Sequence, residues 1–516
     1  MTGVLARAVT AADPFGDGDR ASAAADGGAS AAGRASAGAL REAAAEAFSD
    51  VIAASLAVAQ DPSALADRDR LLAWARDQGT PAVPRPVIGA GDPTDPATPG
   101  LTAAHAALVG GFQAHLLDLD DTHEDVRGHP SAVLVPTLLA LAADDRLLDE
   151  LYAAYVVGLE AMARLGRTLG PAHYAAGWHP TGTAGAVAAA AAGAHLLRLD
   201  AEQTATALSI AASRSGGVRA QFGTPGKPLH AGLAAQAGVE AVQWAQSGLH
   251  TADAAVTGLS GLLAAFGVGE GERAALVEGF GESWAIHSPG IWQKRFPFCS
   301  AAMSMADAAA HLAPALDPQA IREVVVRVRP GADAALVHIA PATGEEARFS
   351  AEAILALILL GRTPDLAELS PRPLDPQVTA LAAKVRREHV PGEPLPGGRR
   401  DFWAEVEVHA ARGAVHRASV QRPHGAPGTP LSADARRAKL AAATGDVSRA
   451  ERIRALLGVD AATTDAPAAT GTPAASDTGA DTPSAPVPAQ TPVGRLLAEL
   501  TAAPTPTSTP LEGPTA

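Results

Sequence analysis

The sequence predicts a mainly α protein with a large all-helical domain and a smaller α+β domain. Three observations predict it. Ala-rich stretches with helical spacing of apolar residues dominate from Ala39 onward. Aromatic residues make up only 4% of the 516, so the core must be built from closely spaced helices with small side chains. After about residue 296 the texture changes to alternating β-branched residues, as in "IREVVVRVRPGADAALVHI", which reads as strand.

The elements follow in order. Residues 1–38 are rich in Ala, Gly, Ser and Asp without periodicity, which predicts a flexible leader. "LREAAAEAFSDVIAASLAVA" is an amphipathic helix of good helix formers. "GTPAVPRPVIGAGDPTDPATPG" is a Pro/Gly loop. Helices are expected over Ser131–Ala143, Arg146–Leu165, Thr183–Leu197, Ala201–Ala212 and Leu229–Ser247. "FSAEAILALILLG" and "DPQVTALAAKVRREHV" read as two further helices, and "DFWAEVEVHAARGAVHRASV" as a hairpin turning at Arg412–Gly413. The predicted division is a helical domain over 39–295, an α+β domain over 296–425 and a return to the helical domain over 426–459. A low-complexity disordered linker over 460–491, a short helix over 492–502 and a disordered tail over 503–516 follow.

A net charge of −15 argues against nucleic acid or an anionic membrane as the main partner. A single cysteine, Cys299, forms no internal disulfide and builds neither an iron–sulfur cluster nor a cysteine-rich zinc site. It fits a reducing compartment. The first residues hold no apolar run of secretory-signal length, and the longest apolar runs are Ala/Gly-rich, too weakly apolar to insert in a membrane. The expectation is a soluble cytoplasmic protein.

"HLLDLDDTHEDVRGHP", residues 115–130, packs five acids and three histidines into sixteen positions. Within it, Asp120, Asp121 and Glu124 match the aspartate-rich pattern with which helical terpene synthases hold magnesium. No second motif follows on a facing helix, and the aromatic content is poor for sheltering a carbocation. A solvated acidic loop accounts for Glu124 and Asp125 but leaves the histidines unexplained. Further basic residues sit in or beside Gly/Pro turns: His179 in "GWHPTGTAG", Lys227 in "FGTPGKPLHAG", and Lys294 and Arg295 in "IWQKRFPFCS". With Asp118, Thr122 and His129 they suggest a cationic pocket for a polycarboxylate, with histidines placed for proton transfer.

At this point the chain resembles the MmgE/PrpD family, which includes 2-methylcitrate dehydratase, cis-aconitate decarboxylase and iminodisuccinate epimerase. The resemblance runs over roughly residues 40–460. Its blocks are "AHLLDLDDTH…HPS", "GWHPTGTAG", "GTPGKPLHAG", "KRFPFCS" and "ARFSAEAILAL", in the family's order. It implies a large helical domain, a smaller α+β lid domain, usually a homodimer, and an active site between the domains with neither metal nor organic cofactor. By matching motifs the pocket carries over as Asp118, Thr122, His129, His179, Lys227 and Lys294, with Cys299 as a further substrate-binding position. The chain departs from the family in four places: a loop between Thr122 and His129 one residue longer, Met303 where many members have His, Ala353 where Tyr often follows "FS", and Cys299 where decarboxylase-like members have His.

The resemblance implies a lyase for a small polycarboxylate. Dehydration of a citrate-like hydroxy acid is the first expectation and decarboxylation of cis-aconitate the runner-up, since "KRFP" looks like the decarboxylase form of its block. A non-catalytic polycarboxylate-binding homologue is the alternative of another class. His179 is expected as the main acid/base. Lys227 and Lys294 would neutralise developing carboxylate charge, and Thr122 would donate to a carboxylate. Asp118 is expected to orient His129 or Thr122, and His115, one turn earlier, to support Asp118. His123 and His230 read as structural or as supporting the site residues from behind. At a pocket edge, His179 and Lys227 should matter little for folding.

Overall fold

A computed structural model describes residues 2–16, 35–79, 81–95, 99–142, 145–392, 401–459 and 493–502. Among them the chain is mainly helical, with two small sheets.

The helical part begins with α1 (Thr2–Ala11), α2 (Ala37–Ala57), α3 (Pro62–Asp77) and α4 (Ala103–His115). It continues with α5 (Ser131–Leu141), α6 (Leu148–Ala175), α7 (Pro180–Leu196), α8 (Ala201–Ala212) and α9 (Gly226–Gln246). Several starts are set by side-chain caps. Asp61 accepts from the amides of Ser63 and Ala64 ahead of α3, Thr102 accepts from His105 ahead of α4, and Asp200 closes a capping box on α8. Every residue of α7 except His195 is buried. Ringed by α5, α6, α8 and α9, this helix of Ala, Gly and Val is the axis of the main core. Small residues set the spacing: a Cβ at Gly232 would lie 2.3 Å from the Leu108 carbonyl oxygen, so α4 and α9 touch backbone to backbone. Two short helices, α10 (Leu262–Ala265) and α11 (Glu270–Ala274), follow.

The chain then builds a second core around α12 (Met303–Leu312), α13 (Gly344–Ala347), α14 (Ala351–Leu359), α15 (Pro376–Ala382) and a four-stranded sheet. The strands are β3 (Ile321–Val328), β4 (Val385–His389), β5 (Ala404–Ala410) and β6 (Val415–Val420), in the order β4-β3-β5-β6. Val324, Val326, Val406 and Val408 turn one face into this core. β5 and β6 form the expected hairpin, with Arg412 and Gly413 both at positive φ, 61° and 78°. α16 (Ala433–Thr444) and α17 (Val447–Leu457) return to the first core, each ended by a left-handed glycine, Gly445 and Gly458. α18 (Val493–Thr501) packs on α17 through a face that includes Leu496 and Leu500.

Three expectations are corrected. Residues 2–11, read as leader, are helical: Leu5, Ala6 and Val9 are fully buried against the bundle. In "DPQVTALAAKVRREHV" the helix stops at Ala382, and Val385–His389 pairs in parallel with Val324–Val328. In "IREVVVRVRPGADAALVHI" the strand ends at Val328 and the rest turns. The expected disorder at 17–34, 460–491 and 503–516 lies outside the described residues. No helix among the described residues is long and apolar enough to cross a membrane.

Candidate active site

The segment after α4 is where the chemistry gathers. Beyond His115 the chain turns through Asp118, whose φ of 53° is left-handed. A two-residue strand β1 (Thr122–His123) pairs antiparallel with β2 (Ile291–Trp292), Thr122 opposite Trp292, which draws the Lys294 segment alongside. The loop between Thr122 and His129 closes on itself, the His123 amide donating to the Gly128 carbonyl at 3.1 Å. His129 emerges just before α5, its amide donating to Thr181 Oγ1 at 3.1 Å. His179 caps α7, its amide held by the Gly217 carbonyl at 3.0 Å. Lys227 lies in the first turn of α9.

These side chains form one buried polar cluster. Lys227 Nζ donates to Asp118 Oδ1 at 2.5 Å and to His115 Nε2 at 2.9 Å. Lys294 Nζ donates to the Asp118 carbonyl at 2.7 Å and lies 3.0 Å from its Oδ2. Burial would raise the Asp118 carboxyl, but Lys227 and Lys294 overcome it and hold the group well below the usual carboxylate range. His115 Nδ1 donates to Asp120 at 2.9 Å. Burial outweighs that attraction and pushes the His115 imidazole down to about 3, so it is neutral at neutral pH, with Nε2 left to accept from Lys227. His129 Nδ1 donates to the Asp121 carbonyl at 2.9 Å, with Asp120 Oδ2 at 3.2 Å, which leaves Nε2 unprotonated, 3.7 Å from Asp118. Burial also lowers His129 and, with Lys227 as the next contributor, lowers His179 well below the ordinary histidine value.

A cavity of about 30 Å³ opens onto this cluster. Five of the seven expected residues line it: Thr122, His129, His179, Lys227 and Cys299. Asp118, which bonds both Lys227 and Lys294, is not among its lining residues, and Lys294 lines a different cavity. Ala335 and Phe402 close the cavity from the side of the sheet. A larger cavity of about 170 Å³ lies on the other side of Lys294, walled by Phe296, Phe298, Met303 and Ile358. It holds neither His129 nor His179, both of which line the smaller one. Of Cys299, Met303 and Ala353, only Cys299 reaches that smaller cavity. Met303 lines the larger, and Ala353 is buried on α14. Burial pushes the Cys299 thiol up, so it stays protonated.

Several expected roles change. Asp118 serves the two lysines first and stands 3.7 Å from His129. The His115 ring bonds Asp120 and meets the Asp118 carboxylate through Lys227, while the Asp118 amide donates to the His115 carbonyl at 3.2 Å. Lys227 and His179 are buried, 3% and 1% exposed, so neither is a pocket-edge residue. The magnesium trio does not converge: Asp120 turns to His115, and Asp121 to the Ser131 hydroxyl. The groups that do converge are His115, Asp118, Asp120 and His129, with ligand atoms within 4.8 Å of one another. Their types suit a divalent ion. The Lys227 and Lys294 ammonium groups already occupy the Asp118 carboxylate and His115 Nε2, so an ion there would have to displace them.

Sequence reasoning missed Lys439 on α16. Its Nζ donates to Asp50 Oδ1 at 2.6 Å and to the carbonyls of Leu119 and Lys294 at 2.8 and 3.0 Å. The far C-terminal part of the chain thereby ties together the two backbones that carry Asp118 and Lys294. It also missed Phe222 and Phe349, whose rings lie 5.5 and 5.2 Å from Lys227 Nζ. Phe222 and Phe349 lie inside the quoted blocks "FGTPGKPLHAG" and "ARFSAEAILAL", where only the polar residues drew notice, and no motif marks Lys439.

Comparison with known proteins decides the family. Residues 36–273 match the MmgE/PrpD N-terminal domain and residues 296–462 the MmgE/PrpD C-terminal domain. The chain belongs to the MmgE/PrpD family. Among its MmgE/PrpD relatives is a cis-aconitate decarboxylase of Homo sapiens, 30% identical over 335 residues, which are 61% of this chain and 67% of the human protein. The cis-aconitate decarboxylase of Mus musculus is 31% identical over 326 residues, 57% of this chain and 62% of the mouse protein. A cis-aconitate decarboxylase-like protein of Aspergillus oryzae is 35% identical over 125 residues, 22% of this chain and 26% of its own length. The chain thus matches about two thirds of the length of the two mammalian relatives.

Proposed function

We propose that this MmgE/PrpD protein is a lyase that decarboxylates cis-aconitate or a close tricarboxylate. The observation that carries the reading is Asp118 clasped by two buried ammonium groups, one of them lining a cavity walled by two neutral imidazoles. The names of the mammalian relatives favour this substrate class over a hydroxy acid.

The Asp118 and Asp120 carboxylates balance the two ammonium groups, but only Lys227 among these four lines the cavity, so its positive charge is the one a substrate anion meets. In a site shielded from water that charge acts strongly on a neighbouring anion. When carbon dioxide leaves, the electron pair of the broken carbon–carbon bond spreads through the double bond towards a remaining carboxylate. Lys227 stabilises the charge there, and Thr122 donates to a carboxylate oxygen. An imidazole then returns a proton to carbon, giving a terminal methylene. His179 is the first choice for that acid, and His129 faces the same space. The resting imidazoles are neutral, so the proton must arrive with the substrate: a tricarboxylate bound beside them raises their basicity.

Dehydration of a citrate-like hydroxy acid is the second reading. Neutral resting imidazoles favour it, because they are ready to accept an α-proton. Proton NMR of the purified protein with cis-aconitate, citrate and 2-methylcitrate separates the two. Terminal methylene signals from cis-aconitate are expected. A new internal alkene from the hydroxy acids would replace decarboxylation with dehydration, and turnover of none would remove both.

A further inference from the structure

His230 lies behind His179, outside the cavity lining, and the reading above gives it no task. Its Nδ1 is 3.0 Å from His179 Nδ1, with ring centroids 5.3 Å apart. Two glycines make room for it. A Cβ at Gly217, where φ is 120°, would lie 3.0 Å from His230 Cγ and 3.2 Å from its Nδ1. A Cβ at Gly182 would lie 2.1 Å from the Gly216 carbonyl oxygen and 3.4 Å from His230 Cβ. Gly217 also accepts the His179 amide, so one short strip of backbone fixes the main chain of His179 and admits the ring that meets its side chain.

The nitrogen–nitrogen contact restricts protonation. Burial holds both imidazoles neutral at neutral pH, His230 down to about 4. Each ring therefore carries one hydrogen. Two Nδ1–H groups facing each other at 3.0 Å would clash, and two facing lone pairs would repel. Only opposite tautomers fit: one ring protonated at Nδ1, the other at Nε2. Two such pairs satisfy the contact, and passing from one to the other requires both rings to exchange protons together; in each, His179 takes the complement of His230 and its Nε2 is left for the cavity. Phe222, edge-on at 5.0 Å, flanks the His179 ring and limits its rotation.

We propose that His230 is a positioning residue that locks His179 in a single tautomer with Nε2 directed into the cavity. This rests on the reading of His179 as the proton-handling group. The test uses the full chain labelled with ¹⁵N at histidine, the His179 signals being assigned by their loss in His179→Asn. Wild type is compared with His230→Asn, whose amide replaces Nδ1 as donor or acceptor, and His230→Leu, which offers neither. Wild type and the Asn variant should show one His179 tautomer, and the Leu variant an averaged pair. With cis-aconitate, kcat should fall about 10²-fold in the Leu variant with little change in KM, and the Asn variant should recover most of the loss. A single His179 tautomer in the Leu variant, or an averaged one in wild type, overturns the proposal. If the Leu variant fails to fold, the wild-type and Asn spectra still decide, since averaging in either contradicts the lock. Failure of the underlying reading looks different: wild type turns over no polycarboxylate while the His230-dependent tautomer remains.

Discussion

Asp118 carries the most consequence of any single residue. It is the one carboxylate shared by Lys227 and Lys294, all three buried. Replacing Asp118 with Asn strands two ammonium groups in a dry interior. Stranding a buried charge typically costs about 3–5 kcal/mol. Removing one of the stranded cations should return part of that. We therefore expect Asp118→Asn to be strongly destabilised in urea, and Asp118→Asn/Lys227→Met to be more stable than Asp118→Asn alone. Additive losses would mean that the pair is not coupled as drawn. At this scale the sequence exposed residues but not pairings. His179, Lys227 and Lys294 stood out because Gly and Pro turns frame them. The partners of His115 did not, because i,i+3 spacing favoured Asp118 while the left-handed turn at Asp118 delivers Asp120 instead.

Among the elements, the Ala-rich helices were legible because apolar spacing and caps agree, and α8 spans Ala201–Ala212 as expected. The two misread elements share one cause: their structure is fixed by distant partners. Val385–His389 lies beside helix formers in sequence, but parallel pairing with β3 overrides that local preference. α1 is only ten residues long, too short to be stable alone, and is ordered by packing on α7 and α8. That packing is testable. Leu5→Ala should lower stability by about 2–5 kcal/mol, the range for a fully buried leucine, measured by urea denaturation. A loss under about 0.5 kcal/mol, as for a surface change, would return residues 2–11 to a leader.

Across the whole molecule, the order of motifs and the shift in texture near residue 296 made the mainly α fold and the family legible. The cavity was not, because it needs groups brought together from α4, α7, α9, the Lys294 segment and the sheet side. The same convergence brings a testable charge balance. Desolvation lowers His115, His129 and His179 below the ordinary histidine value, so at pH 7 they carry no proton beyond the neutral form. A tricarboxylate adds negative charge beside them and raises their pKa, so binding and protonation are linked with positive sign. Isothermal titration of cis-aconitate at pH 7, repeated in buffers of different ionisation enthalpy, measures that linkage directly. The account predicts net proton uptake on binding in wild type, and less uptake in His129→Asn and His179→Asn. Binding with no proton exchange, or with proton release, would contradict it.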